Sequence, residues 1–445
     1  MFFTDPVFCG ELHQEERRSF KGIMASGDKK IITCVEFGTR SVRVLHGVKE
    51  KDNSLTVLGF GQAFPGEAVR KGEVVQIRAA GEALGKALGE ADKQAGHNIR
   101  QRRSVYCIIN GPSVTGQQSE GSVLTGDDRK VRKNHIESAV QKAMDISPGQ
   151  DQVLLNSFDS CFLLDSHTRV QDPEGENASR LTACLHIISV GRQQRMTLWN
   201  LLRDRGFEED IHFVSAGIAS VYGVLTEREK QEGVLLIDLG CGVTNYVAIR
   251  RDGILCSGVL GVGTDNIAND LSVGLELPID YCRKMLLDKE LFRRIGKGDA
   301  FLETPGPVAG TKRKIPLGSV ETIIRYRLQE IFSILREHLE QQKCTHLIES
   351  GIVLCGGGSL IPPVRQLLAS SMRMPLRPGN PQGFKSLPDE MDFPVCYTSL
   401  LGLLKYAANE EDFSPSSVKK MGDVLEGFGD QLFRKIKDFM GAFKL

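Results

Sequence analysis

The sequence contains the same structural pattern twice: an apolar strand that ends in an acid-x-Gly turn, followed directly by two further strands. In the first copy, IITCVEFGT (31–39) is followed by SVRVLHGV and LTVLGFG. In the second copy, GVLLIDLGCG (233–242) is followed by VTNYVAIRR and ILCSGVLGVG. The copies lie much further apart than the roughly 20–50 residues that separate solenoid repeats. The pattern therefore predicts two related halves, each built on its own sheet.

Helical and strand patterns alternate between and after the two copies, which is typical of an α/β protein. The sequence predicts helices over 73–96, 265–295 and 317–343, and a final apolar helix over 397–407. Residues 104–179 contain strand, helix and strand patterns of their own and end in the polar run HTRVQDPEGENASR. We interpret this stretch as a subdomain inserted into the first half.

The two acid-x-Gly turns have a chemistry that suits phosphate. A glycine, which lacks a Cβ, lets an anion approach the backbone closely, and successive backbone N–H groups can form a concave anion site. A carboxylate repels phosphate but can hold Mg²⁺ through its waters. Two such turns that face each other across a cleft would hold a nucleoside triphosphate from both sides.

A third glycine-rich turn, Gly356-Gly357-Gly358-Ser359, follows the apolar run GIVLC. Three glycines at a strand end favour close approach by a ligand. The helix expected after them adds a favourable dipole for phosphate. The alternative is a tight strand-to-helix turn that binds no ligand.

The composition argues against several other classes of protein. Lys+Arg and Asp+Glu both number 56, so the net charge is zero, whereas nucleic-acid binders usually carry a basic excess. The 11 cysteines include no CxxC pair, which predicts buried thiols in a reducing compartment rather than a metal site. No apolar run reaches the roughly 18 residues of a membrane span. The N-terminus lacks the features of a signal peptide, and we expect residues 1–28 to form a disordered extension.

The C-terminal segment 430–445 is amphipathic when it is placed on a helix. One face is apolar and basic residues flank it, which fits a helix lying in a membrane interface and attracted by anionic lipid. The alternatives are a helix that packs on the protein's own core and a helix that binds a partner. The apolar face consists of Leu432, Phe433, Ile436, Phe439, Met440 and Phe443, and the basic residues are Arg434, Lys435 and Lys437.

The three turns together resemble those of the actin, Hsp70 and sugar-kinase superfamily, and several segments resemble the FtsA family within it. These segments are VEFGTRSVRVL (35–45), VSAGIASVYGVLTERE (214–229), GVGTDNIANDLSVGL (261–275), GIVLCGGGSLIPPV (351–364) and YTSLLGLL (397–404). The resemblance covers about residues 30–408 and the C-terminal segment. It implies a two-lobed, actin-like (ribonuclease-H-like) α/β fold with an inserted FtsA-type subdomain and a C-terminal amphipathic helix.

The resemblance also assigns each segment of the chain to a part of this fold. The expected parts are an N-terminal extension (1–28), a lobe 1 core (29–103, completed by 180–213 and 385–408), the inserted subdomain (104–179), a lobe 2 core (214–262, completed by 346–384), an upper subdomain of lobe 2 (263–345), a linker (409–429) and the membrane helix (430–445). This arrangement would place the two acid-x-Gly turns on opposite sides of one cleft.

ATP and Mg²⁺ are the cofactors that the resemblance implies. The residues expected to contact the nucleotide are Glu36, Gly38, Thr39, Asp238, Gly240, Gly242, Thr244, Gly263, Arg327, Glu330, Gly356, Gly357 and Gly358. Of these, Glu36 and Asp238 would hold Mg²⁺ through water. Arg327 and Glu330 are assigned by the resemblance alone, because the sequence itself favours a solvated helix face at these positions.

The second turn departs from the family pattern Asp-x-Gly-Gly-Gly-Thr-x-Asp. Cys241, Val243 and Asn245 stand where the pattern has Gly, Thr and Asp, and a valine has no hydroxyl to offer a phosphate. The segment VSAGIAS (214–220) contains no Glu, Gln or His that could position a water. Because phosphate hydrolysis depends on a positioned water, we expect weak or absent ATPase activity and assign no catalytic residue.

The function that the resemblance implies is that of a filament-forming scaffold in bacterial cell division. Such a protein links FtsZ to the cytoplasmic face of the cell membrane at the division site and recruits later division proteins. Its partners would be FtsZ, other copies of itself and an anionic membrane surface, without nucleic acid. The alternatives are the actin-like scaffold of type IV pilus assembly and a small-molecule kinase of the same superfamily.

Overall fold

The computed structural model describes residues 31–96, 103–145, 149–207, 211–251, 253–295, 300–305 and 312–412. The strands are β1 (Ile31–Phe37), β2 (Val42–Lys49), β3 (Leu55–Ala63), β4 (Val69–Arg70), β5 (Glu73–Val74), β6 (Arg103–Ile109), β7 (Thr115–Leu124), β8 (Gln152–Leu164), β9 (Thr168–Val170), β10 (Arg180–Gly191), β11 (Ile211–Ser215), β12 (Val234–Leu239), β13 (Thr244–Arg250), β14 (Gly253–Leu260), β15 (Phe301–Pro305), β16 (Lys312–Pro316), β17 (Ile352–Cys355) and β18 (Leu376–Pro378). The helices are α1 (Ile77–Ala95), α2 (Lys133–Met144), α3 (Arg192–Arg203), α4 (Ala216–Val224), α5 (Glu227–Glu232), α6 (Thr264–Leu275), α7 (Ile279–Met285), α8 (Lys289–Arg294), α9 (Leu317–Gln341), α10 (Val364–Met372) and α11 (Thr398–Asp412).

Two of the expected segments, the N-terminal extension (1–28) and the membrane helix (430–445), lie outside the described residues. The expected linker (409–429) begins within α11, which ends at Asp412. Within the described ranges, no helix is both long and apolar enough to cross a membrane.

Lobe 1 is built on a five-stranded sheet in the order β11-β6-β1-β2-β3. The strands β1, β2 and β3 form an antiparallel meander, and β6 and β11 extend the sheet in parallel on the other side of β1. Helix α1 packs on this meander through small residues. A Cβ on Gly59 or Gly61 would lie 2.2 Å or 2.0 Å from a backbone oxygen of α1. The glycines of β3 therefore let the alanine-rich face of the helix lie directly on the sheet.

Lobe 2 repeats this arrangement, as the duplicated sequence pattern predicts. The strands β12, β13 and β14 form an antiparallel meander, and β17 and β18 extend the sheet in parallel beside β12. The helices α6–α9 and the β15–β16 hairpin form an upper subdomain after β14. Helix α9 confirms the helix predicted over 317–343. The helix predicted over 265–295 is instead three short helices, because Pro278 precedes α7 and the Asp288 side chain caps the start of α8.

Two apolar helices, α4 and α11, lie together between the sheets. Helix α11 packs on the strands of lobe 1, and α4 packs on β12 and β13 of lobe 2. A Cβ on Gly402 of α11 would lie 1.9 Å from the Ala219 carbonyl oxygen of α4. One on Gly223 of α4 would lie 2.7 Å from the Thr398 carbonyl oxygen. These glycines let the two helix backbones touch, so both halves of the molecule share one apolar core.

The inserted subdomain is an antiparallel sheet in the order β7-β10-β8-β9, and α2 packs on one face of it. It continues the sheet of lobe 2 through one residue pair, Thr115 and Gly258. The expected bounds, 104–179, need correction at both ends. Strand β6 lies inside the lobe 1 sheet, between β1 and β11, whereas β10 lies inside the inserted sheet, between β7 and β8. Both strands are apolar, so their own sequences do not show which sheet each one joins. Only the strands with which they pair show this, and those strands lie far away in the sequence.

Candidate functional site

A cavity of about 700 Å³ opens between the two lobes. Both acid-x-Gly turns and the third glycine-rich turn line it, so the structure brings together the three turns that the sequence analysis singled out. The expected nucleotide residues that line the cavity are Glu36, Gly38, Thr39, Asp238, Gly240, Gly242, Gly356, Gly357 and Gly358. Four other expected residues, Thr244, Gly263, Arg327 and Glu330, are not among the lining residues.

The two acid-x-Gly turns have the same backbone geometry. In the first turn, the Gly38 N–H donates to the Ser41 carbonyl at 3.0 Å, and in the second the Gly240 N–H donates to the Val243 carbonyl at 3.0 Å. A Cβ would lie 3.0 Å from the Ser41 oxygen at Gly38 and 2.9 Å from the Val243 oxygen at Gly240. Because glycine has no Cβ, each turn can close tightly, and the backbone at Gly38 and Gly240 lines the cavity without a side chain.

The two turns touch each other across the floor of the cleft. A Cβ on Gly242 of the second turn would lie 2.4 Å from Thr39 Oγ1 of the first and 2.9 Å from the Lys71 Cα. Thr39 Oγ1 also accepts a hydrogen bond from the Gly72 N–H at 3.1 Å. Any larger residue at Gly242 would push the lobes apart, so this glycine sets the width of the cleft.

Each turn presents a buried carboxylate that a serine of an interlobe helix supports. Ser399 of α11 donates to Glu36 Oε1 at 2.8 Å, and Ser220 of α4 donates to Asp238 Oδ2 at 2.8 Å. Arg43 donates to Glu36 Oε2 at 3.1 Å and to the Cys396 carbonyl at 2.8 Å. Burial, with a smaller contribution from the negative charge of Glu36, raises the pKa of Asp238 to about 6. The site thus holds two carboxylates whose charges are costly to bury together.

The oxygen atoms beside these carboxylates suit Mg²⁺, which prefers hard oxygen ligands and retains several waters. Asn245 of β13 pairs directly with Asp238 of β12. Its Oδ1 is buried and has no hydrogen-bond partner among the described residues. No group of three or more His, Cys, Asp or Glu residues in the described part of the chain could hold a metal ion directly. The residues present therefore fit Mg²⁺ held through water near Glu36 and Asp238, with Asn245 as a further oxygen donor.

The third turn follows β17 and runs into a short 3-10 helix, Gly357–Leu360. Gly356 has a φ of 80°, and a Cβ there would lie 2.3 Å from Asp238 Oδ1. A Cβ on Gly358 would lie 2.4 Å from the Leu239 side chain, whereas one on Gly357 would meet only Cys396 Sγ, at 3.9 Å. Gly356 and Gly358 thus allow close packing on β12, and Gly357 leaves open space at the cavity wall.

Thr244 and Gly263 support the second turn from behind. Thr244 is buried and donates to the Val262 carbonyl at 2.8 Å, so its hydroxyl does not replace the one that Val243 lacks. Alternation along the strand explains this, because Val243 and Asn245 face the cavity. Gly263 precedes α6, and a Cβ there would lie 2.4 Å from the Cys241 carbonyl oxygen. Neither residue lines the cavity, and their assignment to direct nucleotide contact stays a prediction.

The assignment of Arg327 and Glu330 to the adenosine also stays a prediction, and neither residue lines the cavity. Arg327 donates to both carboxylate oxygens of Asp270, at 2.5 Å and 2.9 Å, and to Glu330 at 2.6 Å. This network joins α9 to α6 and leaves neither side chain at the cavity. Both side chains lie on a solvated face of α9, which is the environment that the sequence alone favours.

Several residues that line the cavity are not among those expected from the sequence. Arg283 of α7 donates to Asp265 through Nε at 2.8 Å and Nη2 at 3.1 Å, and to Asp280 through Nη1 at 2.9 Å. No local signal marks these residues, because charged positions on a short amphipathic helix look alike in sequence. The missed lining residues also include Arg40, Arg43, Phe64, Asn110, Lys284, Leu286 and Leu287.

Two family models match the chain. The model described as "Cell division protein FtsA" matches residues 235–402, and the model described as "SHS2 domain inserted in FTSA" matches residues 111–189. The second range agrees with the inserted sheet from β7 to β10. A protein named "Cell division protein FtsA" from Pseudomonas aeruginosa is 28% identical over 384 residues, which cover 86% of this chain and 90% of that protein. Another of the same name from Neisseria meningitidis is 28% identical over 408 residues, with coverages of 91% and 97%.

Solved structures with similar folds are two-lobed actin-like proteins. The chain matches a structure titled "PilM-PilN type IV pilus biogenesis complex" with a TM-score of 0.59 and 18% identity, over 86% of this chain and 99% of that one. It matches MreB5 of Spiroplasma citri bound to ADP with a TM-score of 0.51 and 14% identity, over 86% and 98% of the two chains. These similarities show that the fold is the two-lobed actin-like α/β fold expected from the sequence.

Replacing Asp238 by Asn should stabilise the ligand-free protein at neutral pH. The folded pKa of Asp238 is about 6, against an ordinary value of 3.8. Between about pH 4 and pH 6, Asp238 ionises in the unfolded chain but still holds its proton in the folded protein. Raising the pH through this range therefore lowers the free energy of unfolding of the wild type. We expect Asp238→Asn to match the wild type below about pH 4 and to gain on the order of 2–3 kcal/mol above pH 6. Urea unfolding in EDTA across this range measures the difference. A difference that does not change with pH would contradict the assignment.

Proposed function

The chain belongs to the FtsA family, the actin homologues of bacterial cell division, and we propose that it binds ATP between its lobes and acts as a scaffold of the division ring. The observation that carries the nucleotide proposal is the pair of matching acid-x-Gly turns that meet at Gly242 and Thr39. The match of residues 235–402 to the model described as "Cell division protein FtsA", together with the relatives of that name, favours this family over the pilus scaffold.

Each turn contributes a distinct part of the proposed nucleotide site. The backbones around Gly38 and Gly240 face the cavity from opposite lobes and would bind phosphate oxygens. The third turn would receive the adenosine at Gly357, where the wall is open. Arg283 and Lys284 of α7 line the same cavity. The titles of similar MreB structures name ADP and AMPPNP as their ligands, which supports a nucleotide here.

Magnesium, when bound, supplies positive charge that offsets the phosphates. Glu36 and Asp238 would hold its waters, and Asn245 would contribute a neutral oxygen. Ser399 and Ser220 keep the two carboxylates oriented, because each donates one hydrogen bond from a rigid helix.

We propose that ATP acts mainly as a conformational ligand and is hydrolysed weakly or not at all. The segment 214–220 contributes Ser220 near the second turn, and its hydroxyl already donates to Asp238. A small-molecule kinase would need a free acid as a base for its substrate. Among the acids that line the cavity, Glu36 is bound by Arg43 and Ser399, Asp238 is bound by Ser220, and Asp265 and Asp280 are bound by Arg283. This arrangement favours a scaffold over a kinase.

Replacing Gly357 by Val should weaken nucleotide binding without unfolding the protein. The nearest atom to a new Cβ is Cys396 Sγ at 3.9 Å, so the side chain fits the ligand-free fold and projects into the cavity. We expect the affinity for a fluorescent ATP analogue to fall at least about tenfold, or ~1.4 kcal/mol. The control is Gly149→Val, because a Cβ at Gly149 also meets nothing within 4 Å but lies outside the cavity. An unchanged affinity in a folded Gly357→Val protein would contradict this adenosine site.

For the scaffold role, we propose that the protein polymerises, binds FtsZ and recruits later division proteins at the cytoplasmic face of the cell membrane. Membrane attachment would use the segment 430–445, whose apolar face runs from Leu432 to Phe443. A helix of this composition binds an interface through buried apolar area and through attraction of its basic residues to anionic lipid. The family relationship supports this assembly, since the relatives are division proteins by name.

Co-sedimentation with anionic liposomes tests the membrane attachment. We expect the full chain to pellet with the liposomes and a chain truncated after Glu426 to stay in solution. Phe439→Asp should abolish pelleting, because it places a charge on the apolar face, whereas Gln431→Asp adds the same charge to the polar face and should reduce it only slightly. If the truncated chain pellets as well as the full chain, the anchor lies elsewhere.

A further inference from the structure

Two cysteines lie directly opposite each other in the inserted sheet. Cys161 of β8 and Cys184 of β10 are cross-strand partners, and the Cys184 thiol has the largest influence on the pKa of Cys161. Opposed residues of an antiparallel pair have Cα atoms about 4.5–5.5 Å apart. This separation falls within the roughly 4.4–6.8 Å that a disulfide spans, so the pair lies at bridging distance in the folded sheet.

The two thiols lie on the face of the inserted sheet opposite α2. Their chain neighbours Phe162 and Ala183 belong to the apolar core under the helix, and side chains alternate between the two faces of a strand. Cys161 is 2% exposed, whereas Cys184 is partly exposed. Reagents in solution can therefore reach the pair through Cys184.

The charges around the pair favour a thiolate. The neighbouring Cys184 thiol, with a further contribution from the Arg169 guanidinium, lowers the pKa of Cys161 to about 6. Glu120, the cross-strand neighbour of Cys184 in β7, opposes this effect with a smaller contribution. The lowered pKa favours the thiolate of Cys161 at neutral pH, and the thiolate is the form that attacks a disulfide.

We propose that Cys161 and Cys184 form a redox-sensitive dithiol, which a low-molecular-weight disulfide such as oxidised glutathione converts reversibly to a disulfide. First, a thiolate of the pair attacks the glutathione disulfide, which forms a mixed disulfide and releases one glutathione thiolate. The remaining thiol then loses its proton and displaces the second glutathione. The protein gives up two electrons and two protons, and the oxidised glutathione becomes two molecules of reduced glutathione.

The crosslink would join β8 to β10, and β10 also contacts lobe 2. The pairing register of β10 with β8 shifts between Cys184 and Leu185. One residue further along, His186 Nε2 and Ser257 Oγ of β14 are 2.7 Å apart. Oxidation would therefore fix the irregular part of β10 beside its contact with lobe 2, which gives the inserted subdomain a redox-dependent rigidity.

A second pair of sulfurs provides an internal control. Cys256 Sγ and Cys344 Sγ are 3.3 Å apart, which is also close enough to react after a small movement. Both residues are nearly inaccessible, at 3% and 2% exposure. Because buried thiols are inert, we expect this pair to stay reduced in the folded protein.

Peptide mapping after oxidation tests the proposal. The reduced full-length protein is incubated with oxidised glutathione, quenched in acid, alkylated and digested with trypsin. Trypsin cleaves after Arg169 and Arg180, between the two cysteines, so the disulfide joins two separate peptides. We expect this joined peptide in most molecules and its loss after treatment with dithiothreitol. It should persist in Cys344→Ser and be absent from Cys184→Ser.

Three results of peptide mapping on the wild-type protein would each overturn the proposal. One is recovery of both Cys161 and Cys184 as alkylated thiols after oxidation. Another is separate glutathione adducts on the two cysteines with no joined peptide. The last is a crosslink between Cys256 and Cys344 in preference to the proposed pair.

Discussion

The contact between Gly242 and Thr39 is the constraint on which the rest of the site depends. A Cβ on Gly242 would lie 2.4 Å from Thr39 Oγ1, so the backbone of the second turn meets the Thr39 side chain of the first directly. This contact sets the spacing of the two lobes and hence the size of the cavity. It also brings Glu36 close enough to Asp238 for its charge to raise the pKa of that carboxyl. Fold and binding chemistry are therefore determined by the same close approach.

The interlobe helices α4 and α11 couple stability to the site. Their backbones touch at Gly402 and Gly223, which builds the shared core, and each helix sends one serine to one carboxylate. Burying Asp238 costs stability in the ligand-free protein, because desolvation disfavours its charged form. A cost of this kind at a cleft is typical of functional sites, where the ligand or its metal ion offsets it.

The sequence predicted the parts of the structure that local patterns encode. The acid-x-Gly turns and the glycines after β17 could be found, because strand ends and missing Cβ atoms leave a short sequence signal. The edges of the insertion could not be found, since β6 and β10 are both apolar and differ only in their distant partners. The sequence also could not show that Arg283 lines the cavity while Arg327 binds Asp270 instead. That outcome depends on which face of each helix packs toward the cavity. Thr244, which the resemblance assigns to the nucleotide, alternates along the strand with Val243 and Asn245, so its side chain points away from the cavity that those two residues line.

The central claim is that one nucleotide contacts both lobes at once, and amide hydrogen exchange measures this most directly. Exchange would be followed in the full chain with and without a non-hydrolysable ATP analogue and Mg²⁺. We expect slower exchange in three segments together: 37–43 in lobe 1, and 239–245 and 356–361 in lobe 2. Protection in one lobe alone, or in none of these segments at a saturating concentration of the analogue, would contradict it.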